Sequence, residues 1–194
     1  MKIRKPAVAG SFYLSDPEKL QQMLHLMLQA KQDDSVYDDI LGIIVPHAGY
    51  MYSGEVAAHA YRCLKGKEYR RAVVVSPSHR EYFQGISVYD GDAYQTPLGM
   101  IEVDAELRNH LSGMIPDIQI SSAGHRAEHA LEVQLPFLQS VLHNWKLLPL
   151  VMGEQSPQTI QMLAGLIGKL AAPDTIIVIS SDLSHFYNRE IADH

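Results

Sequence analysis

The strongest constraint on how this chain folds is a recurring junction, in which a short uninterrupted apolar run stops at a polar loop that carries histidine. Ile40-Leu41-Gly42-Ile43-Ile44-Val45 halts at Pro46-His47. Ala72-Val73-Val74-Val75 halts at Ser76-Pro77-Ser78-His79, and Thr175-Ile176-Ile177-Val178-Ile179 at Ser180-Ser181-Asp182, with His185 three residues further on. Runs of this length, rich in β-branched residues and lacking polar alternation, predict strands buried on both faces.

The intervening segments predict helices. Ser15 or Asp16 caps a helix whose stripe is Leu20, Met23, Leu24 and Met27, and Gly54 to Leu64, Asp104 to Leu111 and Pro157 to Leu170 continue the pattern. Ala127 to Leu142 places Leu131, Leu135, Leu138 and Leu142 on one face, with a kink expected at Pro136. Lys146 to Met152 and Ile86 to Tyr89 predict further strands, 33–39 a polar loop, and Thr96-Pro97-Leu98-Gly99 a turn. Alternating strands and helices predict one α/β domain over residues 1–194, its central sheet mainly parallel or mixed, with helices on both faces.

Composition narrows the partners. A net charge of -6 and no basic patch argue against nucleic acid. No apolar window reaches a membrane span, and the apolar run after Lys2, Arg4 and Lys5 is too short for a secretory leader, so a cytoplasmic protein is expected. The single cysteine, Cys63, sits in a helical pattern and is expected as a small buried hydrophobe. The acceptable partners are a small molecule or a peptide.

In a parallel sheet the carboxyl ends of the strands share one rim, where ligands of open α/β folds bind. Three histidines at such ends, His47, His79 and His185, are therefore expected to converge as metal ligands. Imidazoles with open coordination positions suit iron(II), and zinc accepts the same donors. Asp182 is expected to orient a ligand histidine, with Ser180 and Ser181 nearby. Gly49 lets the chain turn beside His47, and Tyr50 and Tyr52 are candidates for the pocket wall. Helical spacing puts His129 and Glu132 on one face, which either looks into the cleft or is a solvated polar face. A rival reading is also present: His125-Arg126-Ala127-Glu128-His129 matches the H-x-x-E-H pattern of inverted zinc peptidases.

Motifs along the chain resemble one family. Arg4-Lys5-Pro6-Ala7-Val8-Ala9-Gly10-Ser11-Phe12-Tyr13, Pro46-His47-Ala48-Gly49-Tyr50, Ser76-Pro77-Ser78-His79, Glu128-His129 with Glu132-Val133-Gln134-Leu135-Pro136-Phe137, and Ser180-Ser181-Asp182-Leu183-Ser184-His185 are similar to the Memo family, also called AmmeMemoRadiSam system protein B. The resemblance implies a fold like that of class III extradiol (LigB-type) dioxygenases, which open catechol rings with iron(II). It further implies His47 and His79 as metal ligands, Asp182 and His185 as pocket residues with His185 in an acid/base role, and iron or copper as the metal. The family takes a further cysteine ligand from a later region. This chain is therefore expected either to lack the family's C-terminal portion or to draw its third ligand from His185, His129 or Glu132.

Overall fold

The computed structural model describes residues 1–29, 39–112, 118–184 and 187–192. Nine strands and six helices are assigned among them: β1 (Ile3–Arg4), α1 (Pro17–Gln29), β2 (Gly42–Val45), α2 (Tyr50–Arg62), β3 (Arg71–Pro77), β4 (Ile86–Tyr89), β5 (Ala93–Thr96), β6 (Gly99–Glu102), α3 (Ala105–Ser112), β7 (Ile118–Ser121), α4 (Leu135–Val141), β8 (Lys146–Met152), α5 (Pro157–Leu170), β9 (Thr175–Ser180) and α6 (Arg189–Ala192). The main sheet has the order β2-β9-β3-β8-β4-β7. Its first four strands are mutually parallel, β4 runs antiparallel to β8, and β7 is parallel to β4, so the sheet is mixed. A smaller sheet, β1-β5-β6, carries the expected turn at residues 97–98 as the connection between its antiparallel strands.

Strand alternation feeds two cores. Ala72 and Val74 of β3 and Ile176 and Val178 of β9 pack with α1, α2 and α4 on one face, through Leu20, Leu24, Tyr61, Phe137 and Leu138. Val73, Val75 and Ile177 pack on the other face with Leu163, Leu166 and Leu170 of α5. The expected strands β3 and β9 are thus buried on both sides because they lie inside the sheet. β2 corrects that expectation. It is an edge strand, and Ile44 is 73% exposed.

The helix expected over residues 127–142 is also revised. Residues 122–131 form turns, a single 3-10 turn covers Glu132–Gln134, and α4 begins at Leu135. Pro136 therefore lies in the first helical turn, where a missing N–H costs no internal bond, and no kink results. α3 starts after Asp104, whose Oδ1 accepts the Leu107 N–H at 3.0 Å. Cys63 follows α2 half-buried, less enclosed than its helical context suggests. No helix among the described residues is long and apolar enough to cross a membrane.

Candidate metal centre

The parallel pairing sets the stage. Val45 of β2 is in register with Ser180 of β9, and β9 is flanked on its other side by β3, so the loops after these three strands leave one rim together. His47 lies two residues past β2 and His79 two past β3. The turn preceding α4 supplies His129. One nitrogen from each of these imidazoles lies within 4.8 Å of the others. The ring centroids are 5.1 Å apart for His47 and His79, 5.7 Å for His47 and His129, and 4.8 Å for His79 and His129.

This donor set fits a transition-metal ion once the rings draw together. Three nitrogens each about 2.1 Å from one ion average at most about 3.6 Å apart, so a pair at the outer limit closes by about an ångström. Three neutral imidazoles without thiolate suit iron, copper or zinc.

Each imidazole has a different environment. His47 is buried, its Nδ1 3.0 Å from Ser180 Oγ and its Nε2 3.6 Å from Asp182 Oδ2. Burial lowers its pKa, with Asp182 opposing in part. His79 is exposed, and its Nδ1 lies 3.0 Å from Glu128 Oε1, a hydrogen bond that raises its pKa against the effect of burial. His129 is half-buried, packs at a tilt against Phe12 of the N-terminal segment with ring centroids 4.7 Å apart, and has its pKa lowered by burial. Its Nδ1 lies 3.2 Å from Glu128 Oε1 but out of line for a hydrogen bond, and it is one of two buried side-chain polar atoms with no partner among the described residues. Such an atom is what a ligand or ion would satisfy.

Glu128 is the carboxylate behind this cluster. Its Oε1 accepts the His79 imidazole and the His129 and Ala130 N–H groups, both at 2.9 Å, and its Oε2 accepts the His79 N–H at 2.5 Å. Burial alone would raise this acid, but the donors prevail and its pKa falls to about 2.

The expected site residues divide as follows. His47 and His79 meet as foreseen, and His129 joins them as the third imidazole. His185 lies outside the described residues. Asp182 is half-buried at the rim, and its Oδ1 accepts the His47 backbone N–H at 2.7 Å. It thus holds the loop, while Ser180 holds the His47 ring.

Glu132 does not look into the cleft. It is fully buried and receives Arg4, Tyr13 and the Ala7 and Val8 N–H groups, because the turn at 132–134 points it at the N-terminal segment. Tyr50 is a core residue whose hydroxyl donates to Val133 O at 2.6 Å, and Tyr52 is exposed. Gly49 has an ordinary φ of -57°, so its role is not a left-handed turn.

The inverted-peptidase pattern is not assembled. His125 is 1% exposed, with Nδ1 2.5 Å from the Tyr94 hydroxyl and Nε2 3.2 Å from Ser87 O, so both ring nitrogens are committed to the core. Reading the chain for ligand histidines missed Phe12 as a wall and Glu128 as the common acceptor. The signal for Glu128 was its adjacency to His129.

A family model described as Memo-like protein matches residues 4–193. A MEMO1 family protein of Aquifex aeolicus is 38% identical over 194 residues, covering 99% of this chain and 71% of the relative. One from Methanosarcina barkeri is 40% identical over 195 residues, with 98% and 71% covered, and one from Nitrosopumilus maritimus is 32% identical over 196 residues, again with 98% and 71% covered.

Proposed function

This chain belongs to the Memo family, and we propose that its rim pocket is a redox-metal centre of the non-haem iron type, acting on small aromatic diols in the manner of extradiol dioxygenases. The observation that carries the reading is the meeting of three imidazole nitrogens within 4.8 Å, contributed by three separate segments. Core histidines satisfy both nitrogens, as His125 does; His129 leaves one open.

His47, His79 and His129 are the ligands in this proposal. Bound iron(II) would supply Lewis acidity toward two catechol oxygens and a relay for electrons passing from the catechol to dioxygen, and copper or zinc would fit the same nitrogens without all of that chemistry. Asp182, beside His47, adds a negative charge that favours a cation at the rim. Phe12 closes one side of His129 and excludes water there. His185, three residues beyond Asp182, is assigned the acid/base role, so His185→Ala should lower turnover without lowering bound metal.

The test is elemental analysis of anaerobically purified protein, wild type against His47→Ala/His79→Ala, followed by aerobic assay with catechols after iron(II) loading. Stoichiometric metal lost in the double variant and a yellow ring-opened product support the proposal. Equal iron, copper and zinc in both proteins would end it. Metal binding without turnover, across a catechol series, would reassign the pocket to recognition of a small anionic or peptide ligand.

A further inference from the structure

We propose that Ser180 and Glu128 are tautomer-setting residues, which hold the proton of His47 and His79 on Nδ1 and so leave the Nε2 lone pair of both rings for the pocket. The inference rests on the metal reading only for what the lone pairs are for. The tautomers themselves follow from counting donors.

At His47 the count starts two hydrogen bonds away. Gln134 is fully buried, and its Nε2 lies 2.9 Å from Pro46 O. A carbonyl only accepts, so that atom is the NH₂ group and the amide orientation is determined. The other amide atom, Oε1, then accepts the buried Tyr61 hydroxyl at 2.9 Å. The second amide hydrogen is directed to Ser180 Oγ at 2.8 Å. Ser180 has one proton, and it goes to Ala130 O at 2.7 Å, another pure acceptor. With its own hydrogen spent and one donor already received, Ser180 Oγ can meet His47 Nδ1, at 3.0 Å, only as an acceptor. His47 Nδ1 therefore carries hydrogen, and Nε2 is bare.

At His79 the same result comes from a crowded acceptor. Glu128 is 2% exposed, and its oxygens already receive three backbone N–H groups, those of His129 and Ala130 on Oε1 and that of His79 on Oε2, which leaves no room for a hydrogen on Oε1 itself. His79 Nδ1 beside Oε1 must donate, which leaves Nε2 bare in the neutral ring. Two unrelated devices, a neutral relay from Tyr61 through Gln134 and Ser180 and a buried carboxylate, impose one tautomer on two rings that stand 5.1 Å apart. Neither ring has to move a proton between its nitrogens before a cation can be received. His129 has no such acceptor at Nδ1.

The experiment reads tautomers directly in metal-free protein, by long-range nitrogen-proton NMR correlation of ¹⁵N-histidine-labelled samples near pH 7.5, with resonances assigned by His47→Gln and His79→Gln. The proposal expects both His47 and His79 in the wild type as the Nδ1–H form. An Nε2–H form at either position overturns it, with no variant needed.

Ser180→Ala is expected to move His47 alone to the Nε2–H form, whereas Ser180→Thr, which keeps the hydroxyl, retains Nδ1–H. Glu128→Gln is expected to release His79 and leave His47 unchanged. Shifts of both rings together in either variant would show a general structural loss instead and count against the assignment.

Cobalt(II) titration followed by its visible absorption adds the metal arm, where Ser180→Ala and Glu128→Gln should each weaken binding roughly 10- to 100-fold. Tautomers as stated with no cobalt uptake would refute the metal reading and leave this inference standing. Cobalt uptake with opposite tautomers would do the reverse.

Discussion

Glu132 has no exposed surface, yet Arg4, the Tyr13 hydroxyl and two backbone N–H groups all donate to its carboxylate. Arg4 also donates to His125 O at 2.9 Å and to Glu128 O at 2.5 Å, so one guanidinium ties the chain start to the turn that bears His129. Removing one member of a buried pair leaves an uncompensated charge. Arg4→Met should therefore cost about 3 kcal/mol in urea denaturation, while Arg4→Met/Glu132→Gln should cost less than the two single changes added together.

His125 makes a pH prediction. Burial pushes its pKa from 6.5 down to about 3, so the unfolded chain binds a proton that the folded chain refuses between those values. The stability from this residue is present above pH 6.5 and drains away as pH falls toward 3, with a slope of at most about 1.4 kcal/mol per pH unit. Denaturation midpoints measured from pH 7 to 5 should fall more steeply in the wild type than in His125→Gln.

β2 shows why an apolar run does not disclose its place in a sheet. Its sequence is as hydrophobic as β9, but β9 has strands on both sides and β2 has one, so Ile44 faces outward. Ile44→Lys should change unfolding free energy by no more than about 0.5 kcal/mol, whereas Val74→Ala, in the buried centre of β3, should cost at least about 1 to 2 kcal/mol. Legibility followed the same physics elsewhere. The interior strands, α5 and the histidine-bearing junctions were readable because each is determined by a run of neighbouring residues. The short strands β1, β5 and β6 were not: β1 pairs with β5 far along the chain, and β5 and β6 are four-residue strands without a continuous apolar run.

The 127–134 segment was misread as helix because leucines recur there at helical spacing, yet Glu128 and Glu132 recruit backbone donors from other segments instead. At the site, His47 and His79 were legible from strand ends. His129 beside these two rings, and Glu128 and Ser180 as their side-chain partners, emerged only once the loops were placed in space.

The molecule as a whole is a sheet with its site on one rim and its cores on both faces, so occupancy of the rim should report on global stability. A metal that binds only the folded form at 100 times its Kd adds about 2.7 kcal/mol. Iron(II) or zinc at that excess should raise the wild-type melting temperature by several degrees and leave His79→Ala unmoved, measured by calorimetry under anaerobic conditions.

The strand order has one more consequence, for the nascent chain. β2 pairs with β9 alone, and β9 also separates β2 from β3. On the ribosome, the segment bearing His47 emerges early and then waits, without a strand partner, until the last described strand is delivered. Ser180, the seat for its ring, arrives at the end of that strand. Arrested translation products should accordingly acquire the ability to retain cobalt only once residue 180 has cleared the exit tunnel, which makes the pocket a marker that β9 has joined the sheet.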